Sequence, residues 1–150
     1  MSANAIFATS PMRRALAAVL LFAASLLAPV AGGAEDDTAE AEMAVARLVH
    51  PLEKAGYDFR ADVWERELKP DLGKAVRLQL FKGNEYKVCI AVPERAGVEI
   101  EAHVLDINGE NIEAAVDKRG WGVVLTAEPR RTGVYVVTSR QSGGKPKPVT

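Results

Sequence analysis

Residues 98–117, VEIEAHVLDINGENIEAAVD, hold two runs of alternating apolar and polar residues on either side of a turn. The apolar members are Val98, Ile100, Ala102 and Val104 in the first run and Ile112, Ala114 and Val116 in the second. A period of two is typical of a strand that buries one face. The stretch therefore predicts two antiparallel strands that turn the same apolar face toward a core.

The turn at Asp106–Glu110 decides which residues of the two runs lie opposite each other. A two-residue turn would place Val104 opposite Glu113 and send one apolar row into water. A three-residue loop with Gly109 in the left-handed conformation places Val104 opposite Ile112 instead. We therefore expect the three-residue loop. The pairs that follow from it are Ala102 with Ala114 and Ile100 with Val116.

The first part of the chain, residues 1–34, predicts a secretory signal peptide. Arg13 and Arg14 precede an uncharged run from Ala15 to Val30, and small residues follow up to Ala34. This order is typical of a leader that is cleaved during export, and we place the cleavage after Ala34. The alternatives are an uncleaved membrane anchor and a translation start at Met12. The expected localisation is periplasmic or secreted.

Composition limits the partners of the exported chain. Cleavage removes two arginines and no acidic residue, so the 20 Asp and Glu outnumber the remaining Lys and Arg. A mildly acidic domain lacks the basic footprint of a nucleic-acid-binding protein. We expect no nucleic-acid partner and no stable membrane insertion after signal cleavage.

Cys89 is the single cysteine among 150 residues, so the domain cannot form an internal disulfide. It lies between Val88 and Ile90 in a predicted strand. This position favours a shielded structural thiol over a reactive thiol or an intermolecular bridge. The domain must then depend on its core alone for stability.

The mature chain divides into a helical segment, a β domain and a tail. Residues 35–56 predict a short helix with its N-cap at Asp37 and a break at Pro51. Residues 57–140 hold about seven short strands between turn residues, which predicts an all-β fold, an antiparallel β-sandwich. The strands outside the central pair are expected near 63–68, 74–80, 85–91, 121–127 and 134–140. Residues 141–150 predict a disordered tail.

Four motifs follow one another along the β domain: GKAVRLQLFKG at 73–83, then Tyr86, VLDING at 104–109 and TGVY at 132–135. In this order they resemble bacterial pre-peptidase C-terminal (PPC-like) domains, over about residues 64–140. The resemblance implies a non-catalytic β-sandwich of the kind appended to secreted enzymes. Here only the predicted signal peptide and one helix precede the domain, which departs from that arrangement.

The mature chain offers few groups for catalysis. Its candidate nucleophiles and bases are Ser139, Ser142, Cys89, His50 and His103. No spacing typical of a hydrolase, a metal site or a nucleotide site joins them. We therefore expect no enzyme activity and no cofactor.

Glu99 and Asp117 are weak candidates for a metal site. In the expected register they lie opposite each other, with Cβ atoms about 5 Å apart. A hard cation needs about six to eight oxygen ligands, however, and a flat sheet face supplies few. A better interpretation is a solvent-exposed face whose negative charge is partly balanced by Lys118 and Arg119, so we expect no metal.

Trp121 is the aromatic residue that we expect to contact a ligand, because its neighbours Gly120 and Gly122 leave the ring unshielded. Together these features predict a secreted or periplasmic, non-catalytic β-sandwich binding module that recognises a protein or a cell-envelope polymer. Two alternatives stay open. The chain could be a structural or stress-protective envelope protein, or an inhibitor or chaperone of an exported protease.

Overall fold

The chain folds into an antiparallel β-sandwich with one helix packed on its outside. The structure, a computed structural model, describes residues 2–9 and 34–144. The strands are β1 (Ser2–Thr9), β2 (Asp58–Glu67), β3 (Lys74–Leu80), β4 (Tyr86–Ala91), β5 (Val98–Leu105), β6 (Glu113–Lys118), β7 (Gly122–Ala127) and β8 (Gly133–Gly144). The helix α1 (Ala34–Lys54) precedes β2, and a 3₁₀ turn (Glu94–Ala96) follows β4. The predicted all-β sandwich is confirmed.

The strands form two sheets, which we call the large sheet and the small sheet. The large sheet has five strands in the order β2-β1-β4-β7-β6, and the small sheet has three in the order β3-β8-β5. Every pair is antiparallel. Few neighbours along the chain are neighbours in a sheet, so the chain passes repeatedly from one sheet to the other.

Strand β1 lies within residues 1–34, the segment that is predicted to be a signal peptide. It pairs with β2 on one side and with β4 on the other. The apolar run Ala15–Val30 lies outside the described residues, and the signal peptide stays a prediction. In the part of the chain that the structure describes, no helix combines the length and the apolar character needed to cross a membrane.

The main core lies between the two sheets and collects the inward rows that alternation predicts. On β5 the inward row of Val98, Ile100, Ala102 and Val104 is buried. The rows that meet it are Leu78 and Leu80 on β3, Tyr86, Val88 and Ile90 on β4, Val123 and Leu125 on β7, and Tyr135 and Val137 on β8. Burial of this apolar surface is the main source of stability for a chain without disulfides.

A second apolar cluster lies between α1 and the outer face of the large sheet. The helix contributes Ala44, Val45, Leu48 and Val49, and the sheet contributes Cys89, Ala91 and Val124. Strand β4 is therefore buried on both faces. Cys89 is fully buried, which confirms the interpretation as a shielded thiol.

The helix is longer than predicted at both ends. It runs from Ala34 to Lys54, so the predicted N-cap at Asp37 and the predicted break at Pro51 are wrong. Pro51 removes one amide donor, but the next side chain, Leu52, packs against the second cluster and supports the last turn. Gly56 then ends the segment as predicted, with φ at 88°.

The central turn has the predicted geometry. The amide of Asp106 donates to Glu110 O at 2.8 Å, and Gly109 has φ at 81°. The amide of Ile112 donates to Val104 O at 2.9 Å, so these two residues face each other as expected. The three-residue loop is therefore confirmed.

Beyond Ile112 the two strands separate, and the predicted hairpin becomes a corner between the sheets. Strand β5 pairs with β8 in the small sheet, whereas β6 pairs with β7 in the large sheet. The predicted pairs Ala102–Ala114 and Ile100–Val116 are therefore wrong. Ala114 and Val116 are exposed, because β6 is an edge strand that does not lie over the core.

The last strand also exceeds its predicted length. Strand β8 continues to Gly144, so the predicted disordered tail is wrong for its first residues, which pair with β5. Residues 145–150 lie outside the described part of the chain.

Candidate functional site

Three loops meet at one end of the sandwich, which we call the loop end. Leu80 of β3 lies opposite Gly133 of β8, and Tyr86 of β4 lies opposite Ala127 of β7, so these four strands begin or end together. The loops at this end are 81–85, 106–112 and 128–132. Loops held by a rigid sandwich are a common location for binding residues.

A cleft of about 410 Å³ opens between two of these loops. Its walls are Lys82, Gly83, Asn84 and Glu85 from one loop and Glu128, Pro129 and Arg130 from the other. The amide of Lys82 donates to Thr132 Oγ1 at 3.0 Å and ties the two walls together. Four of the seven residues that line the cleft carry charged side chains.

Two buried tyrosines fix the loops from below. The hydroxyl of Tyr86 accepts a hydrogen bond from the amide of Phe81 at 2.9 Å and another from Asn84 Nδ2 at 3.2 Å. The hydroxyl of Tyr135 donates to Arg131 O at 2.8 Å. Both rings pack in the main core, so they hold the two loops of the cleft in fixed positions.

Three charged side chains of the cleft carry no opposite partner. Among the described residues, Lys82, Glu128 and Arg130 form no ion pair and no side-chain hydrogen bond. All three are exposed. The cleft therefore presents two cations and one anion that are available to a ligand.

Glu85, the fourth charged residue of the cleft, is already engaged. It accepts a hydrogen bond from the hydroxyl of Tyr57 and lies 3.3 Å from Lys87 Nζ. The bond from Tyr57 is the main cause that holds the pKa of Glu85 below its ordinary value. Burial, followed by the bond to Glu85 and its charge, raises the pKa of Tyr57 to about 12. At neutral pH Glu85 is an anion with a fixed structural role.

A second polar cluster lies at the corner where the chain passes from β5 in the small sheet to β6 in the large sheet. His103 Nδ1 lies 2.8 Å from Glu113 Oε1, and Asn111 Nδ2 donates to the same oxygen at 2.6 Å. The other oxygen of Glu113 accepts the amide of Val104 at 2.8 Å. The side chain of Glu113 is only 6% exposed. These bonds join the small sheet to the large sheet.

The cluster around His103 extends to β8. His103 Nε2 lies 3.7 Å from Glu101, and Arg140 Nε donates to Glu101 at 2.6 Å. The imidazole therefore lies between two carboxylates. The geometry favours a structural tie, because each carboxylate is held by a further donor. The described residues include no group of three or more His, Cys, Asp or Glu side chains arranged to hold a metal.

Glu99 and Asp117, the weak metal candidates, are not brought together. Glu99 lies opposite Gly143 on β8, and Asp117 lies opposite Val124 on β7. Asp117 is paired with Arg119 at 3.2 Å. The expected pairing is wrong because the strands that carry the two carboxylates belong to different sheets.

Trp121 lies between β6 and β7, at the opposite end from the cleft. Its side chain is half-buried and packs against both the main core and the second cluster. Its backbone accepts a hydrogen bond from the amide of Val92 at 2.9 Å. Part of the ring is accessible, and its contact with a ligand stays a prediction.

The cleft was missed by the sequence analysis. Residues 82–84 and 129–133 lie between predicted strands, where the sequence indicates turns and no role for Lys82, Glu128 or Arg130. The one signal in the sequence is that both turns carry charged residues next to Gly or Pro. Their proximity follows from pairing between strands that are distant along the chain.

No family model, no curated protein and no solved structure matches the chain. The resemblance to PPC-like domains stays a prediction that rests on the quoted motifs.

Proposed function

We propose that the chain is a secreted or periplasmic, non-catalytic β-sandwich binding module that recognises a protein or a cell-envelope polymer at its loop end. The observation that carries the proposal is the cleft in which Lys82, Glu128 and Arg130 form no ion pair with any residue that the structure describes. Ligand groups that satisfy these residues carry both carboxylates and amines. Polypeptides and amino-acid-bearing polymers of the cell envelope have this chemistry.

The state of the thiol supports a binding role over a catalytic one. Burial is the main cause that raises the pKa of Cys89 to about 12. A thiol that is fully buried and protonated at neutral pH cannot act as a nucleophile without unfolding. The cleft itself is lined by charged, amide and glycine or proline residues, none of which is a usual nucleophile for acyl transfer.

The test compares two double variants with the same change in charge. Lys82→Glu/Arg130→Glu reverses both cations of the cleft, whereas Lys74→Glu/Arg77→Glu reverses two cations on β3, away from the cleft. Binding is measured on isolated cell-envelope material and on exported proteins immobilised as separate fractions, at two salt concentrations. We expect the cleft variant to lose at least about tenfold in affinity and the β3 variant to retain it, since each lost charge-assisted contact contributes about 1.5–3 kcal/mol.

Equal binding by both double variants would show that the cleft is not the recognition surface. Trp121→Ala tests the other end of the molecule in the same assay. A loss confined to Trp121→Ala would move the binding site to the opposite end of the sandwich.

A further inference from the structure

Strand β1 fills a position that the exported chain would lack. It lies between β2 and β4 and pairs with both. Its residues, Ser2–Thr9, precede the predicted cleavage after Ala34, so export removes them. Strands β2 and β4 would then lie two strand spacings apart, about 9–10 Å, with an open slot between them.

The exposed edge of β4 would be strongly apolar. Toward the main core it presents Tyr86, Val88 and Ile90, and toward α1 it presents Cys89 and Ala91. All five are buried while β1 is in place. The backbone amides and carbonyls that now pair with β1 would lose their partners in apolar surroundings. Such an edge pairs readily with another strand.

Strand β2 is an edge strand that pairs with β1 alone among the described strands, but three contacts of β2 and its flanking residues do not involve β1. At its beginning, the hydroxyl of Tyr57 donates to Glu85. Two residues into the strand, Arg60 Nη1 donates to Gln79 O at 2.8 Å. After its end, Leu68 is fully buried in the main core. We therefore expect β2 to keep its distance from β4 rather than close the slot.

We propose that the mature protein accepts an extended segment of a partner protein as the missing strand. This inference rests on the export that the proposed function includes. The occupant is a segment of about eight residues, the length of β1, that runs antiparallel to both β2 and β4. A glycan or a lipid does not fit, because the slot offers rows of backbone donors and acceptors.

The register of β1 defines the side chains that the occupant needs. Positions opposite Val88 and Ile90 share a face with these residues and point to the main core. The position opposite Cys89 points to α1 and the second cluster. The central residues of the segment must therefore be apolar on both faces. The chain's own residues 145–150, KPKPVT, are unsuitable, because prolines at alternate positions cannot donate to the ladder.

The test uses the mature protein purified after export, with its N-terminus determined by mass. The probe is a synthetic peptide, SANAIFAT, the sequence of Ser2–Thr9. The control peptide carries Ile6→Pro, since Ile6 lies opposite Cys89 in the middle of the slot. A third peptide of unrelated sequence keeps apolar residues at the central positions. Amide hydrogen exchange of residues 86–91 and alkylation of Cys89 report on the slot.

We expect the amides of residues 86–91 that now face β1 to exchange quickly in the mature protein alone, whereas the alternate amides that face β7 stay protected. The SANAIFAT peptide and the unrelated apolar peptide should each slow exchange and alkylation by about tenfold or more, and the Ile6→Pro peptide should not. The Lys82→Glu/Arg130→Glu variant should bind SANAIFAT as wild type does, which separates the slot from the cleft.

Three results would overturn the inference. The exported protein could retain residues 2–9, in which case the slot never opens. The amides of residues 86–91 that face β1 could be protected without any peptide, which would show that β2 has closed onto β4. All peptides, including Ile6→Pro, could protect equally, which would show nonspecific binding. If the peptides fail while envelope material still binds through the cleft, only the slot is disproved.

Discussion

Val104 lies fully buried on β5 and makes the sharpest test of the strand faces at the residue scale. In Val104→Asp a carboxylate enters the main core without a partner, and we expect a loss of about 3–5 kcal/mol in the free energy of unfolding. Ile107→Asp is the control, since Ile107 is 86% exposed in the adjacent turn and its replacement should change stability by less than about 0.5 kcal/mol. Urea denaturation measures both. A tolerated Val104→Asp would mean that the faces of β5 are reversed.

The carboxylate of Glu113 stabilises the fold at neutral pH, and this contribution to the free energy of unfolding decreases at acid pH. Burial opposes its charge and alone would raise its pKa, but bonds from the Val104 amide, His103 and Asn111 outweigh burial and lower the pKa. Because the folded-state pKa is below the unfolded one, the carboxylate stabilises the fold above about pH 5. This contribution is lost as the pH falls through the lowered pKa.

Glu113→Gln should therefore be less stable than wild type at pH 7, and the difference should shrink at pH 3. Thermal melts over this pH range measure the difference. Glu110→Gln, at an exposed position of the loop that precedes β6, serves as the control and should follow wild type throughout. A difference that grows toward pH 3 would contradict the direction of the pKa shift.

Glu101 shows why residue-level charges could not be read from the local pattern. Alternation places Glu99, Glu101 and His103 on the outward side of β5, but it does not indicate which cation lies beside them. The structure supplies Arg140 as the partner of Glu101, from a strand 39 residues further along the chain. Only the pairing of β5 with β8 brings the two together. A Glu101→Lys change would thus create repulsion with Arg140 rather than relieve it.

A proline and a glycine set the stability of the last turn of α1. Pro51 lies inside the helix and cannot donate to the carbonyl of Arg47. Pro51→Ala restores this bond, and we expect the free energy of unfolding to rise by about 1 kcal/mol. Gly56→Ala should lower it by about 1 kcal/mol, because the φ of 88° at this position disfavours a side chain. Calorimetry of both variants measures the contrast, and a stabilising Gly56→Ala would contradict it.

The corner between β5 and β6 marks the limit of what local sequence could predict. Turn chemistry gave the correct loop at Asp106–Glu110 and the correct contact between Val104 and Ile112. Alternation on the following run is equally compatible with pairing to β5 and with an edge position beside β7. The choice depends on β7 and β8, which compete for the two strands at long range. The expected position of Glu99 opposite Asp117 is wrong for this reason.

At the scale of the whole molecule, the sequence predicted the class of fold but not the site. Alternating rows and turn residues are local signals, and they located seven of the strands. The cleft depends on Lys82 and Arg130 lying on loops that are brought together by the pairing of β3 with β8 and of β4 with β7. No local pattern encodes that proximity.

Cys89 reports on the integrity of the whole fold. It is fully buried, and its pKa of about 12 leaves almost no thiolate at pH 8. In the chain that carries β1, we expect alkylation to be slower than in the urea-unfolded chain by about a hundredfold or more, since it requires opening of the core. Iodoacetamide labelling followed by mass spectrometry measures both rates. Equal rates would mean that α1 does not cover β4.

The central position of β8 in the small sheet governs the order in which the molecule can assemble. Among the described strands, β3 and β5 each pair in that sheet with β8, which is synthesised after both, and the register joins Lys74 to Ser139. Contacts between such distant residues form slowly. The chain therefore cannot close its sandwich while β8 is still on the ribosome. The small sheet forms only after the last strand has emerged.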